Sequence, residues 1–130
     1  MTEPEARAYW LAADRTVFVA IDDGMILGSS TIHANQQGGG AHVANAGYIT
    51  AAAARGRGIA RLLCLHSLDY ARTAGFRAMQ FNFVVSSNAP AVHLWESLGF
   101  RTLTHLPNAF AHPRLGFVDA LVMWKDLVDA

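Results

Sequence analysis

The chain has 130 residues, of which 52% are hydrophobic and 15% are charged, and its ten basic and ten acidic residues cancel. This length suits a single domain over residues 1–130, and the composition is that of a folded globular protein rather than of a disordered chain. A net charge of zero gives no broad electrostatic field, so we expect neither nucleic acid nor a membrane as a partner.

The sequence also favours one cellular compartment. No apolar run approaches the roughly 20 residues of a membrane span, and the acidic Glu3 and Glu5 stand where a secretory signal carries positive charge. Because Cys64 is the only cysteine, no internal disulfide can form. We therefore expect a cytoplasmic protein.

Hydrophobic periodicity predicts a helix, three strands, a helix, a strand, a helix and two strands. The predicted bounds are, in that order, residues 4–13, 17–21, 25–34, 43–50, 58–73, 78–85, 89–98, 101–106 and 117–124. A hairpin turn is predicted at 22–24, a flexible connection at 35–40, and a loop containing Pro107, Pro113 and Gly116 between the last two strands. This order predicts an α+β fold in which helices pack on a mixed sheet.

Two of these elements have a clear periodicity of side chains. On helix 58–73 the repeating face consists of Ile59, Leu62, Leu63, His66, Tyr70 and Thr73. On strand 78–85, one side carries Met79, Phe81 and Phe83, and the other carries Gln80, Asn82 and Val84. If the first three face the core, Asn82 points away from it.

The most informative motif is Arg55-Gly56-Arg57-Gly58-Ile59-Ala60, between a strand and the long helix. Glycines there let backbone N–H groups turn toward an anion, and the helix adds its free N–H groups and positive dipole end. The two arginines can add charge-assisted hydrogen bonds to phosphate oxygens. The alternative is a tight turn with two solvated arginines.

Two other phosphate-binding motifs do not fit these residues. A P-loop requires Gly-Lys-Ser or Gly-Lys-Thr, which is absent. A dinucleotide fold places its glycines after the first strand, whereas three strands precede this loop, and Gln80-Phe81-Asn82 offers no acid on the next strand. A nucleotide-binding regulatory module remains a third interpretation, which competition of ATP or NAD with coenzyme A would reveal.

A second motif follows at a fixed distance: Asn88-Ala-Pro-Ala-Val-His-Leu-Trp95-Glu-Ser-Leu-Gly-Phe100. The order of these motifs resembles the GNAT superfamily of N-acetyltransferases. In this order, Arg-Gly-x-Gly-Ile-Ala opens a helix, a strand follows, and Asn-x-x-Ala-x-x-Leu-Trp-x-x-x-Gly-Phe comes next. The two motifs span residues 50–100, and the flanking strands extend the match to most of the chain.

The resemblance implies a binding site for acetyl-CoA where the strand before the glycine loop splays from the next strand. Backbone groups near Ile49 and Thr50 would bond the pantetheine and the acetyl carbonyl. The pyrophosphate would be held by the loop of Arg55, Gly56, Arg57, Gly58, Ile59 and Ala60. Asn88 would reach the pantetheine arm, and Trp95 would lie near the thioester.

The chain departs from the superfamily pattern at two places. Many relatives have Tyr where Trp95 stands, and an indole N–H is a donor but not a usable acid for the leaving thiolate. The superfamily fold also begins with an extra strand and helix, so we expect a shortened N-terminus. An exposed sheet edge there would invite pairing, which makes a homodimer an expected arrangement.

Three segments narrow the resemblance to fungal N-acetyltransferases that act on proline analogues: residues 45–48, 81–88 and 118–120. In that group two strand asparagines matter, and they match Asn45 and Asn82. An amide in a dry gap can hold an amine lone pair or an oxyanion, which makes both candidate catalytic residues. The alternative is that Asn82 satisfies buried backbone.

Other candidate groups carry weaker signals. The six histidines lack the paired spacing of metal ligands, so we predict no metal site. Cys64, in mid-helix, fits inert packing. Asp119 could hold a substrate ammonium or form a salt bridge at a strand edge, and Tyr48 could act as an acid or pack in the core.

Together these features predict an N-acetyltransferase in which a small-molecule amine, such as an amino acid or an analogue, attacks acetyl-CoA directly in a ternary complex. The rival interpretation is a non-catalytic acyl-CoA-binding or sensor domain, favoured by the missing tyrosine and the short N-terminus.

Overall fold

The computed structural model describes residues 3–128, apart from the side chain of Tyr9, and confirms the predicted α+β class and element order. The elements are α1 Glu3–Trp10, β1 Thr16–Asp22, β2 Met25–Ala34, β3 Val43–Thr50, α2 Ile59–Thr73, β4 Ala78–Val85, α3 Ala89–Ser97, β5 Arg101–His112 and β6 Gly116–Asp126. The turn between β1 and β2 places Asp23 and Gly24 at positive φ, as a tight hairpin requires.

Six strands form one sheet in the order β1-β2-β3-β4-β6-β5. All neighbouring pairs are antiparallel except β3 and β4, which run parallel because α2 connects them. The single parallel pair is therefore at the centre of the sheet, between an N-terminal meander and a C-terminal hairpin.

Helices α1 and α2 pack on opposite faces of this sheet. A Cβ built on Gly28 would meet Ile59 and Leu63 of α2, whereas one built on Gly47 would meet the ring of Trp10 of α1. The main core lies on the α2 face, and its buried members include Ile32, Ala44, Cys64, Leu68, Met79, Phe81, Leu121 and Met123. A smaller cluster of Ala54, Ile59 and Leu63 packs where α2 begins.

The predicted alternation of β4 is wrong in its second half. Phe81 pairs with Met123 and Val84 with Leu121, so β4 contains one residue more than β6 over this stretch. Such a bulge shifts the alternation by one position. As a result Val84 is buried in the core, and Phe83 is 50% exposed rather than buried with Met79 and Phe81.

The closing strands are longer than predicted, and Pro107 lies within β5 rather than in the loop. Between Leu106 and Phe110, β5 has two residues more than the facing stretch of β6, and Asn108 there has a φ of 51°. This irregular segment accommodates a proline, which cannot donate to a sheet ladder. The connecting turn is only residues 113–115.

The helix face on which the sequence pattern repeats is only partly the buried face of α2. Leu62, His66 and Thr73 are exposed, and the buried stripe consists of Ile59, Leu63, Cys64, Ser67, Leu68 and Ala71. The small polar Ser67 can be buried because its hydroxyl is hydrogen-bonded, and this is what periodicity in hydrophobic residues alone missed. Helix α1 ends at Trp10, three residues before the predicted end. In residues 3–128 no helix is long and apolar enough to cross a membrane.

Gly28 sets how closely α2 approaches the sheet. A Cβ at this position would lie 2.7 Å from the carbonyl oxygen of Ile49 and 3.0 Å from Ile59 and Leu63. Gly28→Ala should therefore lower the free energy of unfolding by about 1–3 kcal/mol, the usual cost of overpacking. Gly39, whose Cβ position is open, is the matched control, and Gly39→Ala should change stability little. Urea denaturation of both variants checks this, and an unaltered Gly28→Ala protein would contradict the packing described.

Candidate active site

The central feature of the site is the early parting of β3 and β4. Only Val43–Ala78 and Ala44–Met79 are paired, although each strand continues for six more residues. Beyond that point, the edge of β3 from Asn45 to Thr50 faces a gap instead of a neighbouring strand. Backbone N–H and C=O groups along such an edge can pair with an extended ligand.

Asn45 lies at the fork itself. Its side-chain Nδ2 donates to the backbone oxygen of Gln80 at 2.9 Å, and the residue is 9% exposed. The amide therefore satisfies a carbonyl that the parallel ladder no longer reaches. This contact gives Asn45 a defined structural role at the fork.

The gap forms a cleft of about 290 Å³, which is lined by residues 45–48 of β3, residues 81–84 of β4 and Trp95 of α3. Aromatic rings form one part of its wall: the Trp95 ring lies 5.2 Å from that of Tyr48 and 5.0 Å from that of Phe81. Phe100 stacks on Phe81 at 4.3 Å. The cleft thus combines an aromatic wall with two asparagines, Asn45 at the fork and Asn82 on β4.

Although the Tyr48 ring lines the cleft, its hydroxyl points into the core. The hydroxyl lies 2.7 Å from the Oγ of Ser67, and Ser67 donates its own hydrogen to the carbonyl of Cys64 at 2.7 Å. The Tyr48 hydroxyl is therefore the donor toward Ser67, and the sulfur of Met79 lies 3.7 Å away as a second, weaker acceptor. Of the two interpretations of Tyr48, the structure favours packing over acid catalysis.

Burial determines the protonation of both ionisable groups beneath the cleft. Desolvation raises the pKa of Tyr48 far above its ordinary value, and the neighbouring Cys64 adds to this effect. Desolvation also raises the pKa of the Cys64 thiol to about 11. Since Cys64 is fully buried and neutral at physiological pH, it agrees with the predicted inert packing.

Asn82 lies in the cleft lining as the sequence predicts, and it belongs to a chain of three amides. Its Oδ1 accepts from Gln80 Nε2 at 3.0 Å, and its Nδ2 donates to Asn35 Oδ1 at 2.7 Å. These partners are side chains, so the alternative that Asn82 satisfies buried backbone is not what the structure shows. Neither Gln80 nor Asn35 was a sequence candidate, because hydrogen bonds between distant side chains leave no local pattern.

The glycine loop leads from β3 to the first turn of α2. Gly56 and Gly58 have φ values of 80° and 76°, and no atom of residues 3–128 as described lies within 4 Å of a Cβ built on either. Gly58 is the N-cap of α2, and within the described part of the chain no side chain caps this end of the helix. The first N–H groups of α2 are consequently open to an anionic ligand.

The two arginines of the loop have different environments. Arg57 forms an exposed ion pair with Asp22 at 3.3 Å, which directs its guanidinium toward the end of β1. Arg55 follows the short 3-10 turn Ala52–Ala54 and is exposed. An exposed pair of this kind contributes little to stability, so Arg57 remains able to exchange Asp22 for a phosphate.

Helix α3 carries the remaining residues that are predicted to contact the coenzyme. Asn88 is its N-cap, and its Oδ1 accepts from the Ala91 N–H at 3.3 Å. The Asn88 amide nitrogen is the group that can still donate to a ligand. Two turns further on, Trp95 contacts the rings of Tyr48 and Phe81, so α3 closes the cleft from one side.

The acid considered on β6 does not line the cleft. Asp119 Oδ1 accepts from the Asn108 N–H at 3.0 Å, and Oδ2 lies 3.6 Å from His105 Nδ1. The carboxylate thus stabilises the irregular segment of β5, and its contact with His105 is a salt bridge only when the imidazole is protonated. Among residues 3–128, no three His, Cys, Asp or Glu side chains are grouped closely enough to hold a metal ion.

Replacing the buried hydroxyl tests its assigned role. Tyr48→Phe should reduce the free energy of unfolding by about 1 kcal/mol at pH 7, the usual value of one hydrogen bond. Because the native pKa of Tyr48 is raised, its stabilising effect is present below about pH 10 and is lost as the pH rises above it, where the unfolded chain ionises. The stability gap between wild type and variant should therefore narrow above pH 10 in urea titrations. A gap that widens with pH would show that the hydroxyl is ionised in the folded protein.

Solved structures with the same arrangement of strands place this cleft in a known fold. A GCN5-related N-acetyltransferase from Kribbella flavida is 47% identical, with a TM-score of 0.92 over 97% of this chain and 77% of that one. The yncA protein of Salmonella typhimurium, solved with its cofactor acetyl-CoA, is 24% identical, with a TM-score of 0.78 over 97% of this chain and 70% of that one.

Sequence comparisons agree with the structural ones. N-acetyltransferase aca1 of Schizosaccharomyces pombe is 33% identical over 101 residues, which are 75% of this chain and 47% of that protein. This chain therefore spans about half the length of its curated relative. The family model for acetyltransferases of the GNAT family matches residues 1–100. The chain belongs to the acetyltransferase (GNAT) family, whose reaction is acyl-CoA-dependent acetyl transfer.

Proposed function

We propose that this chain transfers the acetyl group of acetyl-CoA to the amine of a small molecule, such as an amino acid or an analogue, in the cleft between β3 and β4. The observation that carries the proposal is that three features suited to a coenzyme lie next to one another. An unpaired strand edge, an uncapped helix N-terminus and a cleft with two asparagines follow one another around the start of α2.

The residues present fit the coenzyme. Pantetheine carries amide groups that the open edge of β3, including the backbone of Ile49 and Thr50, can pair with. The pyrophosphate would be held by the backbone N–H groups of residues 56–60 and by Arg55 and Arg57, where the positive φ glycines leave room for it. Asn88 and Trp95 would complete the site from α3.

Asn82 is the residue we assign to the transfer step. In that step the amine nitrogen bonds to the thioester carbonyl carbon and the C–S bond breaks, so negative charge develops on the carbonyl oxygen. A fixed N–H donor that faces this oxygen lowers the barrier. Asn82 has one Nδ2 hydrogen donated to Asn35, and the second is available for the oxyanion. Asn45 holds the fork, and its Oδ1 is the acceptor that can orient the amine.

Proton transfer in this cleft must rely on water. The described residues that line it include no Asp, Glu, His, Lys or Arg. The hydroxyl of Tyr48 donates its hydrogen bond to Ser67 in the core. Trp95 offers no usable acid. The amine would lose its proton to water, and water would protonate the departing thiolate, so the protein contributes mainly positioning and electrostatic stabilisation.

The pyrophosphate assignment can be tested with one charged and one neutral substitution at Gly58. Asp and Asn have nearly the same shape, and both tolerate positive φ better than other residues. Gly58→Asp should weaken coenzyme A binding on the order of tenfold more than Gly58→Asn, because only the carboxylate repels phosphate. Calorimetric titration of folded protein at two salt concentrations measures this difference, which should shrink at high salt. Equal affinities would remove the loop from the site.

Asn82 can be tested by separating turnover from binding. Asn82→Ala should reduce turnover on the order of a hundredfold or more while acetyl-CoA affinity remains nearly unchanged. Asn82→Asp keeps the size and the acceptor for Gln80 but lacks the N–H, so it should lose turnover as well. Both variants should melt close to the wild type, since the side chain is exposed. Unchanged turnover together with a lower melting temperature would assign Asn82 a structural role only.

A further inference from the structure

The amide of Asn82 is held from both sides by hydrogen bonds with opposite directions. Gln80, two residues earlier on β4, donates to its oxygen at 3.0 Å, and Asn35 accepts from its nitrogen at 2.7 Å. A flip of the Asn82 amide alone would place donor against donor and acceptor against acceptor. The orientation of Asn82 is therefore tied to that of Gln80 and Asn35, since only a reversal of all three amides would keep both contacts.

Of the three hydrogen-bonded amides, that of Asn35 is anchored by its backbone to the sheet. Although the sequence predicts a flexible connection at 35–40, the backbone N–H of Asn35 donates to the carbonyl of Val43 at 2.8 Å. This bond extends the pairing of β2 and β3 by one residue and anchors Asn35 beside the fork. The side chain is thus presented by the sheet, 47 residues away in sequence from Asn82.

We propose that Asn35 is a positioning residue for acetyl transfer, which acts by holding the Asn82 amide with its N–H group toward the cleft. The proposal rests on the function proposed for Asn82. Asn35 is absent from the residues that line the cleft. Its effect must therefore appear in turnover and not in the binding of acetyl-CoA.

Replacing the amide by an acid should have opposite effects on turnover at Asn35 and at Gln80, the two hydrogen-bond partners of Asn82. Asn35→Asp keeps an oxygen acceptor for Asn82 and should retain most of the turnover, whereas Asn35→Ala removes the acceptor. Gln80→Glu replaces a donor by an acceptor and so favours the flipped amide of Asn82. A merely structural contact would not distinguish Asp from Ala at 35 in turnover while leaving binding unchanged.

The experiment compares steady-state kinetics of the wild type with Asn35→Ala, Asn35→Asp, Gln80→Glu and Asn82→Ala. We expect kcat to fall on the order of tenfold in Asn35→Ala and in Gln80→Glu, as is typical when the partner of an active group is removed, with KM for acetyl-CoA unchanged. Asn35→Ala should add no further loss in the Asn82→Ala background, because the two residues act through one contact. Gln37→Ala, an exposed neighbour in the same connection, is the control and should behave as the wild type.

The outcomes separate this proposal from the function on which it rests. If Asn82→Ala loses turnover but Asn35→Ala does not, Asn35 has no positioning role and Asn82 keeps its own. If Asn82→Ala itself retains full turnover, the role of Asn82 in transfer is wrong, and the role of Asn35 with it. A loss in Asn35→Ala that adds fully to that of Asn82→Ala would also overturn the proposal.

Discussion

The geometry of the site depends on the parting of two parallel strands after two residue pairs. A sheet that loses a ladder in its interior leaves backbone polar groups without partners, and such groups must find other bonds. Asn45 satisfies the first of them by donating to the Gln80 carbonyl, and the rest of the β3 edge remains open toward the cleft. The packing of α2 against Gly28 then places the uncapped helix end beside this open edge.

The cleft that results is neutral and partly aromatic. Rings of Tyr48, Phe81 and Trp95 line one part of it, while amides provide the polar contacts. Asn82 is exposed, so its proposed contribution depends on orientation, because a donor that is already oriented need not reorganise during the reaction. The charged groups of the site lie outside the cleft, at the arginines of the glycine loop. In the proposed function, binding of the anionic coenzyme and the acetyl-transfer step therefore use different parts of the structure.

The sequence predicted the α+β fold and the bounds of β2, β3 and β4, because periodicity and glycine placement are local signals. It failed at the β4 bulge, where the facing strand decides that Phe83 is exposed and Val84 buried, so the alternation from which the direction of Asn82 was predicted does not hold there, although Asn82 does line the cleft. It also could not find Asn35, since only the folded sheet brings that residue to Asn82. The hydrogen bond from the Tyr48 hydroxyl to Ser67 could not be predicted from the sequence either, because it depends on contacts across the core.

Acetyl transfer itself is the most direct measurement of this account. The purified chain would be incubated with acetyl-CoA and a panel of small amines that includes amino acids and their cyclic analogues. Free thiol would be followed colorimetrically, and N-acetylated products would be identified by mass spectrometry. The account predicts thiol release that requires an amine, equals the acetylated product in amount, and exceeds the reaction without protein. Tight binding of acetyl-CoA with no acetylated product from any amine would contradict it and would favour an acyl-CoA-binding or sensor domain.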